Sequence, residues 1–283
     1  MPSDRNPPGA SATPSTLAHR VAGDPAAPTV ALVHGFAQTG ECFGPFGEAL
    51  EATHRVVRVD QPGHGGSLRH RDAGVERAAG LLVATVGTAA YVGYSMGARV
   101  CLQAALSHPD EVRALVLIGG TAGIDDAADR ATRRRQDEER AARLEAVGVD
   151  AFLREWLAMD MFAGLPDWAR FDAERRRNTV EGLAASLRHA GTGSMAPLWD
   201  RLGELRCPVL CLTGERDPRY GELAERLVGT VGGPAWHVVV PGAGHAAHLE
   251  HPSFCSASVK EFLDGRRTER GGAGRGGGGP VRG

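Results

Sequence analysis

The chain is predicted to be an α/β protein, a doubly wound and mostly parallel sheet with an inserted helical cap. Three observations predict it. Six short runs rich in Val, Leu and Ile alternate with helix-length segments; the strand signal stops between Gly120 and about Arg206; and a serine between two glycines stands where one run meets a helical pattern.

In chain order, the weak alternation TLAHRVAGD reads as one antiparallel edge strand. TVALVHG, HRVVRVD, AAYVGYS and ALVLIGG follow, and PVLCLTG and AWHVVVPG come after the strand-free stretch. Runs that are apolar almost throughout have no wet face, so they belong to a parallel sheet covered on both sides. Between them DDAADRATRRRQDEERAARLEA, DAFLREWLAMDMF and TVEGLAASLRHA carry helical amphipathicity. Helices placed there form a cap over the C-terminal edge of the sheet, where ligands of open α/β sheets bind. The domain reading is therefore a core of residues 15–120 and 207–265, a cap at 121–206, and disordered tails at 1–14 and 266–283.

Composition narrows the function classes. Thirty-two Lys plus Arg against 34 Asp plus Glu leave a formal charge of −2, which argues against a nucleic-acid or membrane-surface protein. The Gly/Arg-rich end has few arginines and no interleaved aromatics, so it reads as a flexible end rather than an RNA-binding segment. Five cysteines (Cys42, Cys101, Cys207, Cys211, Cys255) are an odd number without secreted-framework spacing; reduced thiols are the first reading and a Cys207/Cys211 metal half-site the second. With no run near the roughly 20 apolar residues of a membrane span and no signal-peptide pattern, a cytoplasmic location is expected.

The chemistry centres on VGYSMGAR, Val92 to Arg99. A strand leading into Gly-x-Ser-x-Gly and then a helix is the context of a nucleophile elbow, whose tight turn leaves no room for bulk at Gly93 or Gly97. A serine hydroxyl needs a base and the base needs an orienting carboxylate, in the order serine, acid, histidine. PVLCLTG ends in GERD, offering Asp217 with Glu215 as competitor; AWHVVVPG ends in AGH, offering His245 with His248 and His251 as competitors. LVHGF places Phe36 where its amide and that of Met96 make an oxyanion hole, and His34 is read as loop support rather than a metal ligand. DQPGHGGS, Asp60 to Ser67, is read as a structural turn near the site. Arg99 is one helical turn past Ser95, and two readings stay open for it: a hold on an anionic group, or a structural ion pair. Of the runs Arg133 to Arg135 and Arg175 to Arg177, most members are expected on solvated helix faces.

From about Val30 to Leu263 the chain resembles the α/β-hydrolase superfamily and, within it, the MenH family, the 2-succinyl-6-hydroxy-2,4-cyclohexadiene-1-carboxylate synthases of menaquinone biosynthesis. LVHGF, VDQPGHGGS, GYSMGAR, the cap segments, GERDPRY and PGAGHAAHLEHP carry the resemblance. It implies an α/β-hydrolase fold and a lyase that abstracts a ring proton and eliminates pyruvate, without a cofactor or metal. It also implies that Arg99, Arg133 and Arg175 hold substrate carboxylates and that Tyr94 and Trp156 line the pocket. The chain departs from the pattern at Ala98, at Ser194 and Met195, and at Pro218 and Tyr220; Met195 removes a polar contact and makes room for a different substrate.

The expected partner is thus a small anionic polycarboxylate, with no nucleic acid and no stable membrane association, in a monomer or small homo-oligomer. A serine hydrolase acting on an ester or carbon–carbon bond uses the same triad and is the rival reading. A non-catalytic receptor would have no need to keep Ser95, Asp217 and His245 together.

Overall fold

The computed structural model describes residues 16–265; the tails predicted at 1–14 and 266–283 lie outside the described residues. Seven strands, β1 (His19–Ala22), β2 (Thr29–Val33), β3 (Arg55–Val59), β4 (Ala89–Tyr94), β5 (Val112–Ile118), β6 (Val209–Gly214) and β7 (Ala235–Val240), form one sheet. The order is β1-β3-β2-β4-β5-β6-β7. The edge strand β1 runs antiparallel to β3, and the remaining pairings are parallel.

Alternation along the strands builds two apolar layers. Ala31, Val33, Tyr91, Leu115, Leu117, Val209 and Cys211 face one, while Val30, Leu32, Val92, Val116, Ile118, Leu210 and Leu212 face the other. Helices α2 (Val75–Val86), α3 (Met96–Ser107) and α7 (Pro218–Thr230) cover the first layer; α1 (Gly44–Glu51), the short α8 (Ala247–Glu250) and α9 (Pro252–Leu263) cover the second. Strands β2 to β6 are buried on both faces almost throughout, which is why they read as continuous apolar runs, whereas the edge strand β7 is only partly buried, with Val239 exposed, despite its apolar run. Cys42, Cys101, Cys207, Cys211 and Cys255 are buried free thiols.

The segment between β5 and β6 holds α4 (Ala127–Leu157), the one-turn α5 (Asp172–Arg175) and α6 (Val180–Ala190). Gly148, at φ 76°, breaks α4 into two amphipathic pieces, matching the gap between two of the cap patterns. Leu144, Phe152, Leu153, Leu183 and Leu187 give the cap a small core of its own, which rests on Ala37 and Phe36 of the loop after β2. Among the described residues no helix is long and apolar enough to cross a membrane.

Candidate active site

Ser95 sits at the junction of β4 and α3 with φ 51° and ψ −105°, a conformation L-residues avoid at a cost of about 1–3 kcal/mol. Its amide donates to the Ile118 carbonyl at 2.8 Å, fixing the turn against β5. The flanking glycines answer to backbone, not to side chains: a Cβ on Gly97 would lie 1.9 Å from the Val33 carbonyl oxygen, and one on Gly93 2.4 Å from the Gly97 oxygen. Neither neighbour has anywhere to go. Gly97→Ala is therefore expected to cost at least about 3 kcal/mol, read as a fall in denaturation midpoint; a midpoint within error of the parent would refute the packing account.

The carboxyl ends of β6 and β7 supply the partners. His245 Nδ1 donates to Asp217 Oδ2 at 2.6 Å, and Ser95 Oγ lies 3.0 Å from His245 Nε2. With its Nδ1 proton held by the carboxylate, the ring presents a lone pair at Nε2 to the hydroxyl. Asp217 directly precedes α7 with its carboxylate turned to the histidine rather than to the helix amides, and His245 follows the turn at Gly242, φ 67°. The competitors are occupied elsewhere: Glu215 Oε2 accepts the Gly242 amide at 2.8 Å, His251 precedes α9, and His248 is buried with both ring nitrogens unpartnered among Phe43, Phe46 and Tyr94. His248 belongs to the short helix α8.

Behind the serine, two loops lock together through neutral histidines. His34 Nε2 accepts the Gln61 amide at 3.0 Å and His64 Nε2 accepts the Ala37 amide at 3.2 Å, while Asp60 accepts amides of Gly40 and Gly66, both at 2.8 Å. His34 is a support and the Asp60–Ser67 loop a structural turn. Phe36 and Met96 line the cavity beside Ser95, and neither backbone amide has a protein acceptor among the described residues. Burial lowers the pKa of His34 to about 4 and of His64 and His248 to about 3, from an ordinary value of 6.5.

These histidines make the fold acid-sensitive. Their folded values lie below the unfolded one, so the unfolded chain takes up protons first as pH falls. Stability is whole above pH 6.5 and lost progressively down to about 4 for His34 and about 3 for the other two. Each ring contributes a slope of up to about 1.4 kcal/mol per pH unit. His248→Leu, which orphans no partner, is expected to raise the melting temperature at pH 7 and to flatten the acid slope by about a third. An unchanged slope would show that His248 titrates normally.

The arginines divide sharply. Arg176 pairs with Asp150, Arg177 with Glu174, and Arg134 and Arg135 are exposed, so these four belong to solvated faces. Arg99 and Arg175 are buried, 7% and 2% exposed, and neither has a carboxylate within ion-pair distance among the described residues. The structural ion pair held open for Arg99 is thus absent. Arg99 Nη1 donates to the Ala190 carbonyl at 2.7 Å and touches Met195 Sδ at 3.8 Å; Arg175 donates to Arg170 O at 2.6 Å and Ala37 O at 2.9 Å. Met195 therefore packs on Arg99. Burial lowers the pKa of both guanidinium groups, to about 10 for Arg99. Arg133 does have a partner, Asp137 at 2.9 Å, which Arg140 shares at 3.1 Å.

All three arginines named from the resemblance meet Ser95 and His245 in one cavity of about 200 Å³ between core and cap. Tyr94 lies 5.4 Å from the His245 ring, and Trp156 joins Phe36 at 5.2 Å and Phe162 at 5.8 Å on the cap side. Sequence reasoning missed several members. Tyr220 packs on the His245 ring at 4.4 Å; Gly119, φ 55°, leaves a space where a Cβ would stand 2.9 Å from His245 Cε1; and Arg140, Arg219 and Asp137 also line the wall. Two of them carried a signal: Gly119 in the doubled glycine ending ALVLIGG, and Tyr220 as a departure from the family pattern. Of the charged lining groups, five are arginines and one, Asp137, is a carboxylate.

A model of the Alpha/beta hydrolase family matches residues 30–257. The 2-succinyl-6-hydroxy-2,4-cyclohexadiene-1-carboxylate synthase of Escherichia coli O1:K1 / APEC is 34% identical over 250 residues, covering 85% of this chain and 96% of its own length. The structure of MenH from S. aureus superposes with a TM-score of 0.80 at 24% identity, over 88% of this chain and 98% of that one, a likeness of fold. A thermophilic esterase from Thermogutta terrifontis, solved with malate bound, gives a TM-score of 0.73 at 26% identity, over 88% and 93%.

Proposed function

We propose, for a chain that belongs to the alpha/beta hydrolase family and to its 2-succinyl-6-hydroxy-2,4-cyclohexadiene-1-carboxylate synthases, that it is a lyase forming that product in menaquinone biosynthesis. The observation that carries this reading is the pair of buried guanidinium groups, Arg99 and Arg175, without carboxylate partners on the wall that holds Ser95. A buried charge is costly unless something neutralises it, and a substrate bearing carboxylates does so. The product's name contains two carboxylates, one on the succinyl arm and one on the ring. A neutral ester would leave both arginines uncompensated.

The chemistry follows from the relay. His245, oriented by Asp217 at 2.6 Å, takes the Ser95 proton across 3.0 Å, and the alkoxide removes the ring proton. The C–H bonding pair enters the ring π system, the C–O bond to the leaving group breaks, and the proton on His245 passes to the departing enolate, which becomes pyruvate. The arginines and the free amides of Phe36 and Met96 stabilise the negative charge that develops on the substrate.

The test is a pyruvate-release assay on purified protein given the cyclohexene precursor. Stoichiometric pyruvate is expected, with no acyl-enzyme trapped in single turnover. Silence in that assay alongside brisk cleavage of anionic esters would move the function to a serine hydrolase, with Ser95 as covalent nucleophile.

A further inference from the structure

Six buried side-chain polar atoms lack a hydrogen-bond partner among the described residues, and two of them belong to residues on the cavity wall: Trp156 Nε1 and Asp137 Oδ2. Asp137 is 1% exposed and is the one carboxylate among the lining residues. Its Oδ1 is used twice, by Arg133 at 2.9 Å and Arg140 at 3.1 Å, while Oδ2 is unused. Glycine at 191 makes room for that oxygen, since a Cβ there would stand 2.5 Å from it. An anion-binding wall has no need of a carboxylate with a spare acceptor, and shielding that acceptor from water without a partner is unfavourable. A ligand hydroxyl would remove the cost, because a hydroxyl donates where a carboxylate only accepts.

We propose that Asp137 is a specificity-determining residue: Oδ2 accepts a hydrogen bond from a ligand hydroxyl on the carbon next to the one bearing the carboxylate that Arg133 holds. The ligand class is a vicinal hydroxy acid on a ring. This rests on the anionic-substrate reading above and deepens it, since the relatives' product carries its hydroxyl on the ring carbon beside its carboxylate. Arg133 and Asp137 then form a two-point reader, a cation for the acid and an acceptor for the neighbouring hydroxyl, held in register by their own ion pair on successive turns of α4. A site built in this way rejects the analogue lacking the hydroxyl, because the acceptor returns to being buried and alone.

The experiment compares two probes by ligand-observed NMR titration of the full chain: cyclohexanecarboxylate and 2-hydroxycyclohexane-1-carboxylate, the latter as separate cis and trans isomers. One hydroxy isomer is expected to bind the parent protein about tenfold tighter than the deoxy acid. In Asp137→Ala and Asp137→Ser, which leave no acceptor within reach of that hydroxyl, the ratio is expected to fall to about one. A residue that merely positions Arg133 would instead weaken all probes together and keep the ratio, which overturns the proposal, as does a parent protein that prefers neither hydroxy isomer. Should neither variant fold, the parent's own ratio decides. If no probe binds the parent at all, the anionic-substrate reading fails and this proposal with it; if the deoxy acid binds and the hydroxyl adds nothing, only this proposal fails.

Discussion

Ser95→Ala is expected to lower kcat for pyruvate release by about 10⁴-fold or more while leaving the affinity for anionic ligands within about threefold. In the proposed mechanism the hydroxyl meets both His245 Nε2 and the substrate, whereas the guanidinium groups proposed to hold the ligand belong to α3 and to the cap. The same position separates chemistry from strain. Alanine at φ 51° keeps the unfavourable backbone, so Ser95→Ala should melt close to the parent. Ser95→Gly should be equally inactive but more stable by about 1 kcal/mol, because glycine adopts this conformation freely. An active Ser95→Ala enzyme would end the role given to the serine; a Ser95→Gly variant that melts lower would mean that the turn is not strained.

The parts that sequence made legible are those where one residue type has a single physical use. Gly93 and Gly97 stand against backbone oxygens, so no other residue fits, and the motif they frame is legible in the chain itself. Strands buried on both faces leave continuous apolar runs, and β1, solvated at the edge, left only the weak alternation that marked it. Asp217 and His245 were legible because each lies in the loop after one of two neighbouring parallel strands, β6 and β7, which end at the same edge of the sheet.

What remained illegible depends on contacts between distant segments. Nothing in RRR distinguishes Arg175, which donates to Ala37 across 138 residues, from Arg176, which pairs with Asp150 on the surface. The periodicity of α5 is too short to tell inside from outside. Asp137 was likewise hidden in a charged helix, where one more acid reads as solvated, although it is buried between two arginines. The task of Glu215 was hidden too: GERD pointed to Asp217 for the histidine, but nothing in it showed that Glu215 ties the histidine loop by accepting the Gly242 amide.

The two unpaired arginines lead to different stabilities from the same substitution. Arg99→Met and Arg175→Met are each expected to reduce kcat/KM by about 10²- to 10³-fold, the range for deleting one partner of a desolvated charge pair worth roughly 3–4 kcal/mol. Their melting behaviour should differ. Arg99 satisfies one carbonyl, Ala190 O, and already rests on a sulfur, so methionine fills the space while a buried charge disappears. Its melting temperature is expected to hold or rise. Arg175 satisfies two carbonyls from different segments, Arg170 O and Ala37 O, and both are left unpaired without it. Arg175→Met sheds the same charge but orphans one more buried carbonyl, so it should be less stable than Arg99→Met by about 1 kcal/mol or more. If Arg99→Met kept its activity, that guanidinium would be structural rather than a ligand for substrate. If both variants lost stability equally, the charge itself, and not the carbonyls it caps, would be what the fold depends on.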